Sequence, residues 1–143
     1  MDSQLWEICM QASGLKVRVL VMDPDEDLRH WLGRLLDRTE GFESVGFCTN
    51  EQDLAAESLN LRPQLFLLDT HSAARLAPGT LGHLRKSLAG LYVVLMDLEE
   101  GPAYERLAKG AGADGFLCKA RVPEALERLR ALMRGRLEQS EVA

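Results

Sequence analysis

The sequence predicts an α/β domain built on a five-stranded parallel sheet, and three observations support this. First, five short runs rich in Val and Leu recur along the 143 residues, and four of them read as near-continuous apolar runs, interrupted only by Arg18. Strands without polar alternation are buried on both faces, as in a parallel sheet covered by helices. Second, these runs alternate with longer stretches whose apolar residues fall at i, i+3, i+4 spacing, the period of an amphipathic helix. Third, four of the runs are closed by a charged residue: Asp23, Asp69, Asp97 and Lys119. In an open parallel sheet those ends lie along one edge, where binding sites form near a switch in strand order.

The elements follow in order. Val17 to Met22 reads as the first strand, ending at Asp23. Leu28, Trp31, Leu32, Leu35 and Leu36 then recur at helical spacing. Asp25 to Asp27 place negative charge in the first turn of that helix, where its dipole favours it. Gly41 closes this unit, and Ser44 to Cys48 is a weaker second strand. Gln52 to Leu61 is the second helix, capped by Asn50 and stopped before Pro63. Leu65 to Leu68 form the third strand, Leu81 to Leu88 the third helix, and Tyr92 to Met96 the fourth strand. The fourth helix runs from Pro102, a residue suited to the first helical position, to Ala111. Gly115 to Cys118 make the fifth strand, and Pro123 to about Leu137 the fifth helix, with Leu126, Leu129, Leu132 and Met133 inward. The connections of such a (βα)5 chain are right-handed. Leu5, Ile8 and Cys9 suggest an additional short helix ahead of the first strand. The division expected is an N-terminal extension over 1–14, one domain over 15–137 and a polar tail over 138–143, and no output domain is expected to follow.

Composition narrows the function. Apolar residues make up 46%, enough for one core, and charged residues 27%. The net charge of −5 argues against an electrostatic grip on nucleic acid or anionic lipid. Arg121, Arg128, Arg130, Arg134 and Arg136 gather near the C-terminus, but Glu124, Glu127 and Glu138 sit among them, as on a solvated helix face. The three cysteines, Cys9, Cys48 and Cys118, are far apart and form no zinc-ligand spacing, so reduced thiols in a cytoplasmic protein are expected. The N-terminus lacks the basic region of a secretory signal. No apolar stretch approaches the roughly 20 residues of a membrane span.

A single aspartate after a strand is ordinarily a turn residue or a helix cap. Charged residues closing strands one, three, four and five together point instead to a site. His30, His71 and His83 are scattered and read as surface or capping residues.

At these positions the chain resembles the receiver domains of response regulators, from about Lys16 to Gly135. The most specific stretch is Gly112-Ala113-Asp114-Gly115-Phe116-Leu117-Cys118-Lys119 followed by Pro123-Glu124-Ala125-Leu126, which is similar to the GADGYLxK and PEEL segments of that family. The position of Arg29 and the spacing of Asp23 to Asp69 also fit. The resemblance implies a doubly wound, flavodoxin-like receiver fold. It implies a phosphoacceptor carboxylate at Asp69, with Lys119, Asp97 and Phe116 at the phosphate-binding and switch positions. It also implies a Mg²⁺ site formed by Asp23, Asp69 and the backbone carbonyl of His71, joined by Asp25 if the chain shifts locally. The implied phosphoryl donor is a histidine kinase or phosphotransfer protein, and output passes to a downstream protein. A homodimer through the fourth helix, fifth strand and fifth helix is also implied, with Tyr104, Leu107, Arg128 and Met133 as candidate contacts. The function implied is that of a signalling module rather than an enzyme turning over a free substrate.

The sequence departs from the family pattern at four places. Pro24 stands where receivers carry a second metal-binding acid, which weakens the Mg²⁺ site. Asp97 stands where they carry Thr or Ser, and an ionised carboxylate can only accept hydrogen bonds. Phe116 replaces the frequent Tyr at the switch aromatic. Ala120 replaces the common proline after the lysine, so a trans bond is expected there. Together these departures admit a phosphorylation-independent pseudo-receiver, in which an Asp97–Lys119 pair fixes one state.

Two other classes are weaker. Asp23-Pro24-Asp25 resembles the DxD opening of haloacid-dehalogenase-like phosphatases, with Asp23 as nucleophile and Asp25 as general acid. The following Gly-Thr is absent, however, and Asp69 is left without a role. A dinucleotide-binding fold lacks its glycine-rich loop, and Asp23-Pro24-Asp25-Glu26 would repel a phosphate at that turn.

Overall fold

The computed structural model describes residues 16–142, with side chains described to Arg136. The short helix expected within residues 1–14, and Cys9 with it, lie outside the described residues. The strands are β1 (Val17–Met22), β2 (Phe42–Cys48), β3 (Leu65–Asp69), β4 (Tyr92–Asp97) and β5 (Gly115–Cys118). The helices are α1 (Glu26–Arg38), α2 (Glu51–Leu61), α3 (Thr70–Ala74), α4 (Thr80–Ser87), α5 (Pro102–Gly110) and α6 (Val122–Val142), with a 3-10 turn at Lys119–Arg121. The strands form one parallel sheet in the order β2-β1-β3-β4-β5. The order reverses beside β1, the switch point that opens a crevice at the carboxyl edge.

Because successive strand residues face opposite ways, each apolar run feeds two cores. On one face Val17, Val19, Val21, Leu65, Leu67, Val94 and Met96 pack against Leu32 and Leu36 of α1 and Leu126, Leu129 and Met133 of α6. On the other, Leu20, Met22, Phe66, Leu68, Val93 and Leu95 meet Leu54 of α2, Leu84 of α4 and Ala108 of α5. Full burial of such a side chain is worth roughly 1.5–3 kcal/mol, so these layers hold the helices in place more than helix propensity does.

Local signals set the boundaries. Asn50 caps α2 by accepting the Asp53 N–H at 2.8 Å, and Pro102 opens α5. Gly112 adopts φ +85 just past α5, and the next N–H, of Ala113, donates to the Ala108 carbonyl at 2.9 Å, a left-handed helix stop. All described peptide bonds are trans, Lys119–Ala120 included.

The structure also differs from the expectations. β2 begins at Phe42 rather than Ser44, because an edge strand tolerates the polar Glu43 and Ser44. Its register shifts between Val19 and Leu20, so that Val19 pairs with Ser44 and Leu20 with Gly46. A Cβ at Gly46 would meet the end of the Leu61 side chain at 2.7 Å, so a larger residue there requires Leu61 to shift. The five-residue α3 was not foreseen, and α6 runs on to Val142. Trp31 faces outward at 39% exposure, because the buried centre of α1 falls on Leu32, Gly33 and Leu36. Leu132 is likewise 41% exposed, at the margin of the α6 stripe. His30, His71 and His83 are all exposed.

Candidate functional site

The parallel sheet delivers β1, β3, β4 and β5 to one edge, and the residues that close them meet there. Asp23 follows β1 and is wholly buried. Its Oδ1 accepts the Asp25 N–H at 2.9 Å, which tightens the turn into α1. Its own carbonyl accepts from the Arg29 guanidinium at 2.7 Å, fixing that turn from the helix side. Pro24 is exposed. The Asp25 carboxylate caps α1, accepting the Leu28 N–H at 3.2 Å, so it does not join the site.

Asp69 ends β3 and caps α3. Its Oδ2 accepts the His71 N–H at 3.0 Å and the Ser72 N–H at 3.1 Å, and the residue is only 2% exposed. Lys119, at the start of the 3-10 turn after β5, reaches across the edge. Its Nζ donates to Asp69 Oδ1 at 2.6 Å and lies 2.7 Å from Asp23 Oδ2. The second contact lies off the line of a directed hydrogen bond, which leaves Asp23 Oδ2 buried and held by charge alone. Burial pushes the Lys119 ammonium toward the neutral form. The close contacts and charges of Asp23 and Asp69 outweigh that, and its pKa rises above the ordinary lysine value. Two carboxylates with one ammonium leave the trio one negative charge in excess.

The expected Asp97–Lys119 pair does not form. Asp97, at the end of β4, turns to the neighbouring strand end and accepts the Thr70 hydroxyl on Oδ2 and the Glu99 N–H at 3.1 Å on Oδ1. Lys119 is already spent on two carboxylates that lie deeper. Partial burial pushes the Asp97 carboxyl up. Hydrogen bonds from Thr70 and from the Glu99 and Leu98 backbone, aided by the charge of His71, outweigh this and hold it below the usual carboxylate range. Beyond Asp97 the polar chain continues, since the Tyr104 hydroxyl donates to Glu99. The Tyr104 ring packs 5.9 Å from that of Phe116, which is half-buried. A tyrosine on α5 thus stands beside the phenylalanine of β5.

Thr70, Glu99 and Tyr104 were not read as members of this edge. Thr70 carried one usable signal, its place directly after Asp69. Of the surface candidates, Leu107 and Arg128 are exposed, whereas Met133 belongs to the core. The thiols of Cys48 and Cys118 are free and buried. Burial, then the charges of Asp53 and Glu57, push the Cys48 thiol up to about 12, which makes it inert at neutral pH.

Among the described residues no three His, Cys, Asp or Glu side chains are gathered as a metal site. The Asp23 and Asp69 oxygens are nonetheless the hard donors that Mg²⁺ takes, and Asp23 Oδ2 has no directed hydrogen bond. Lys119 lies against both carboxylates, so a cation held by them would compete with its ammonium. Among the described residues no helix is long and apolar enough to cross a membrane.

Several solved structures share this architecture. The receiver domain of AraT, a response regulator from Geobacillus stearothermophilus, is 19% identical over 89% of this chain and 99% of that one, with a TM-score of 0.70. The response regulator domain of Thermotoga maritima CheB is 25% identical over 81% and 95%, with a TM-score of 0.64. A chain of the complex between the P1 domain of CheA3 and CheY6 from R. sphaeroides is 19% identical over 84% and 98%, with a TM-score of 0.70. No protein-family model and no curated protein matches the sequence. The chain has the fold of response-regulator receiver domains.

Proposed function

We propose that this chain is a receiver-type module of two-component signalling, in which Asp69 accepts a phosphoryl group and output passes through protein–protein contacts. The observation that carries this reading is the convergence of Asp23, Asp69 and Lys119, with one ammonium within bonding reach of both carboxylates. In the proposed reaction an Asp69 oxygen attacks the phosphorus of a phosphohistidine. The new O–P bond forms as the donor's N–P bond breaks, and the imidazole leaves with the electron pair. Lys119 already stands against the acceptor, so its charge lies beside the place where the phosphoryl oxygens would arrive. Mg²⁺ held by Asp23, Asp69 and the His71 carbonyl would add further positive charge to the same oxygens. The CheA3 P1 domain found with CheY6 supports a histidine kinase or phosphotransfer domain as the donor. The net charge of −5 supports protein rather than nucleic acid as the output partner.

A second reading, a module that works without phosphorylation, is favoured by one observation. The Asp97 carboxylate accepts the Thr70 hydroxyl, beside the end of β3, at the position where the resemblance implies a switch hydroxyl. A phosphoryl group on Asp69 would face that negative charge. Incubation with phosphoramidate and Mg²⁺, followed by intact-mass measurement, separates the two. A gain of one phosphoryl group that is lost in Asp69→Asn supports the first reading. No gain in the native chain, with gain in Asp97→Thr, supports the second. No gain in either variant overturns Asp69 as acceptor.

A further inference from the structure

The second core is not closed along its whole length. A hollow of about 510 Å³ between α3, the end of β4 and α5 adjoins one of about 310 Å³ beside α4; they share Ala73 and Ala111 and so form one half-open groove. Leu76 and Leu81 give it an apolar wall on one side. Leu107 also lines it and is 52% exposed.

The groove has a charged end. Asp97 and Glu99 line it at the carboxyl edge of the sheet, and neither has an ion-pair partner among the described residues. Hydrogen bonds hold Asp97 ionised at neutral pH. Of the two basic lining residues, His71 stands at the acidic end near Asp97, and Arg85 at the opposite end is consumed internally by Asp114 at 3.0 Å and by the carbonyls of Gly112 and Leu91. Among the described lining residues the acidic side chains, Asp97 and Glu99, therefore stand at one end only.

Gly82 provides a separate observation. It lies within α4 and lines the groove, its φ is outside the left-handed range, and a Cβ added there would meet nothing within 4 Å. Glycine weakens a helix relative to alanine, and neither backbone geometry nor packing inside this chain calls for it. A bare backbone on a groove wall allows close approach from outside.

We propose that this groove is the docking site for a helical segment of a partner protein, with aliphatic side chains against Leu76, Leu81 and Leu107 and one lysine or arginine against Asp97 and Glu99. Amphipathic helices commonly enter grooves of this kind, and charge complementarity fixes which end carries the cation. The proposal extends the signalling reading by naming an output surface. It does not require the Asp69 reaction, so either can fail alone.

The test uses two amidated Ala/Leu helical peptides of about 14 residues, identical except for lysine or glutamate near one end, titrated into the isotopically labelled full chain. The lysine peptide is expected to shift the amide resonances of Ala73, Leu81, Leu107 and Ala111 and to bind at least about tenfold more tightly than the glutamate peptide. Glu99→Gln should narrow that difference. Gly82→Leu, which fills the groove from a position with open space, should abolish binding while the spectrum stays folded. Equal binding of both peptides, or no shifts at millimolar peptide, overturns the proposal. Concentration-dependent shifts of the same residues without peptide also overturn it, because the occupant is then a second copy of this chain.

Discussion

The hydroxyl of Thr70 is bonded to the carboxylate of Asp97, so the residue after the candidate acceptor ties the end of β3 to the end of β4. Spacing alone places Asp97 beside Lys119. Instead, the edge divides into a buried trio of Asp23, Asp69 and Lys119 and a more exposed chain from Thr70 through Asp97 and Glu99 to Tyr104.

Replacing Thr70 with Val removes the side-chain donor to Asp97. The expected cost is about 1–3 kcal/mol, toward the low end because Asp97 is partly solvated. The Asp97 pKa lies below its unfolded value, so its contribution is present above the ordinary carboxylate pKa and is lost as pH falls through the folded pKa. Thr70→Val should therefore lose less stability than the native chain on acidification. Urea denaturation at neutral and acidic pH, with carboxyl NMR of Asp97, reads both effects. An unmoved Asp97 titration would show that Thr70 does not hold the carboxylate.

Lys119→Met strips the ammonium from two nearly buried carboxylates. Breaking a buried ion pair from one side costs about 3–5 kcal/mol, because the remaining charge is left uncompensated. Adding Asp23→Asn should recover part of that loss, since one carboxylate no longer needs the cation. Thermal or urea unfolding of the single and double variants forms the cycle. A double variant as unstable as the sum of the two singles would mean that Asp23 and Lys119 are not coupled.

The same trio sets an alkaline limit. The folded pKa of Lys119 is raised, so its stabilisation is complete below the unfolded lysine value of about 10.4 and is lost as pH rises through the folded value. Unfolding measured across that range should show a fall in stability that Lys119→Met lacks. A parallel decline in both proteins would remove Lys119 as its cause.

Pro24→Asp restores an acid beside Asp23 at an exposed position. Mg²⁺ affinity, followed by the metal-dependent rise in melting temperature, should increase by about tenfold or more. Stability without metal should fall, because a third carboxylate joins a site that already carries excess negative charge. Unchanged Mg²⁺ response would separate residue 24 from the metal site.

These contrasts show what the sequence could convey. Asp23, Asp69 and Lys119 were legible because each closes an apolar strand, and parallel pairing brings such ends to one edge whatever the loops do. The choice made by Asp97 was not legible. It depends on which donor its side chain reaches first, and Thr70 and Lys119 are equally compatible with the strand order. α3 escaped because five residues are too few to display a helical period. The start of β2 escaped because an edge strand need not be apolar. Trp31 shows the same limit on a helix: periodicity gave the stripe, but only packing against β2 fixed its centre on Leu32, Gly33 and Leu36.

Gly82 gives a stability prediction that depends on nothing at the sheet edge. Its backbone is helical, and the space where a Cβ would stand is open. Alanine should therefore be accepted without strain, lowering the entropy of the unfolded chain and raising helix propensity. The expected gain is about 0.5–1 kcal/mol, seen as a higher urea midpoint with an unchanged slope. A loss of stability instead would mean that another part of the chain comes close to α4 at this point. The groove would then be filled from within, and Gly82 would be there for packing rather than for an outside partner.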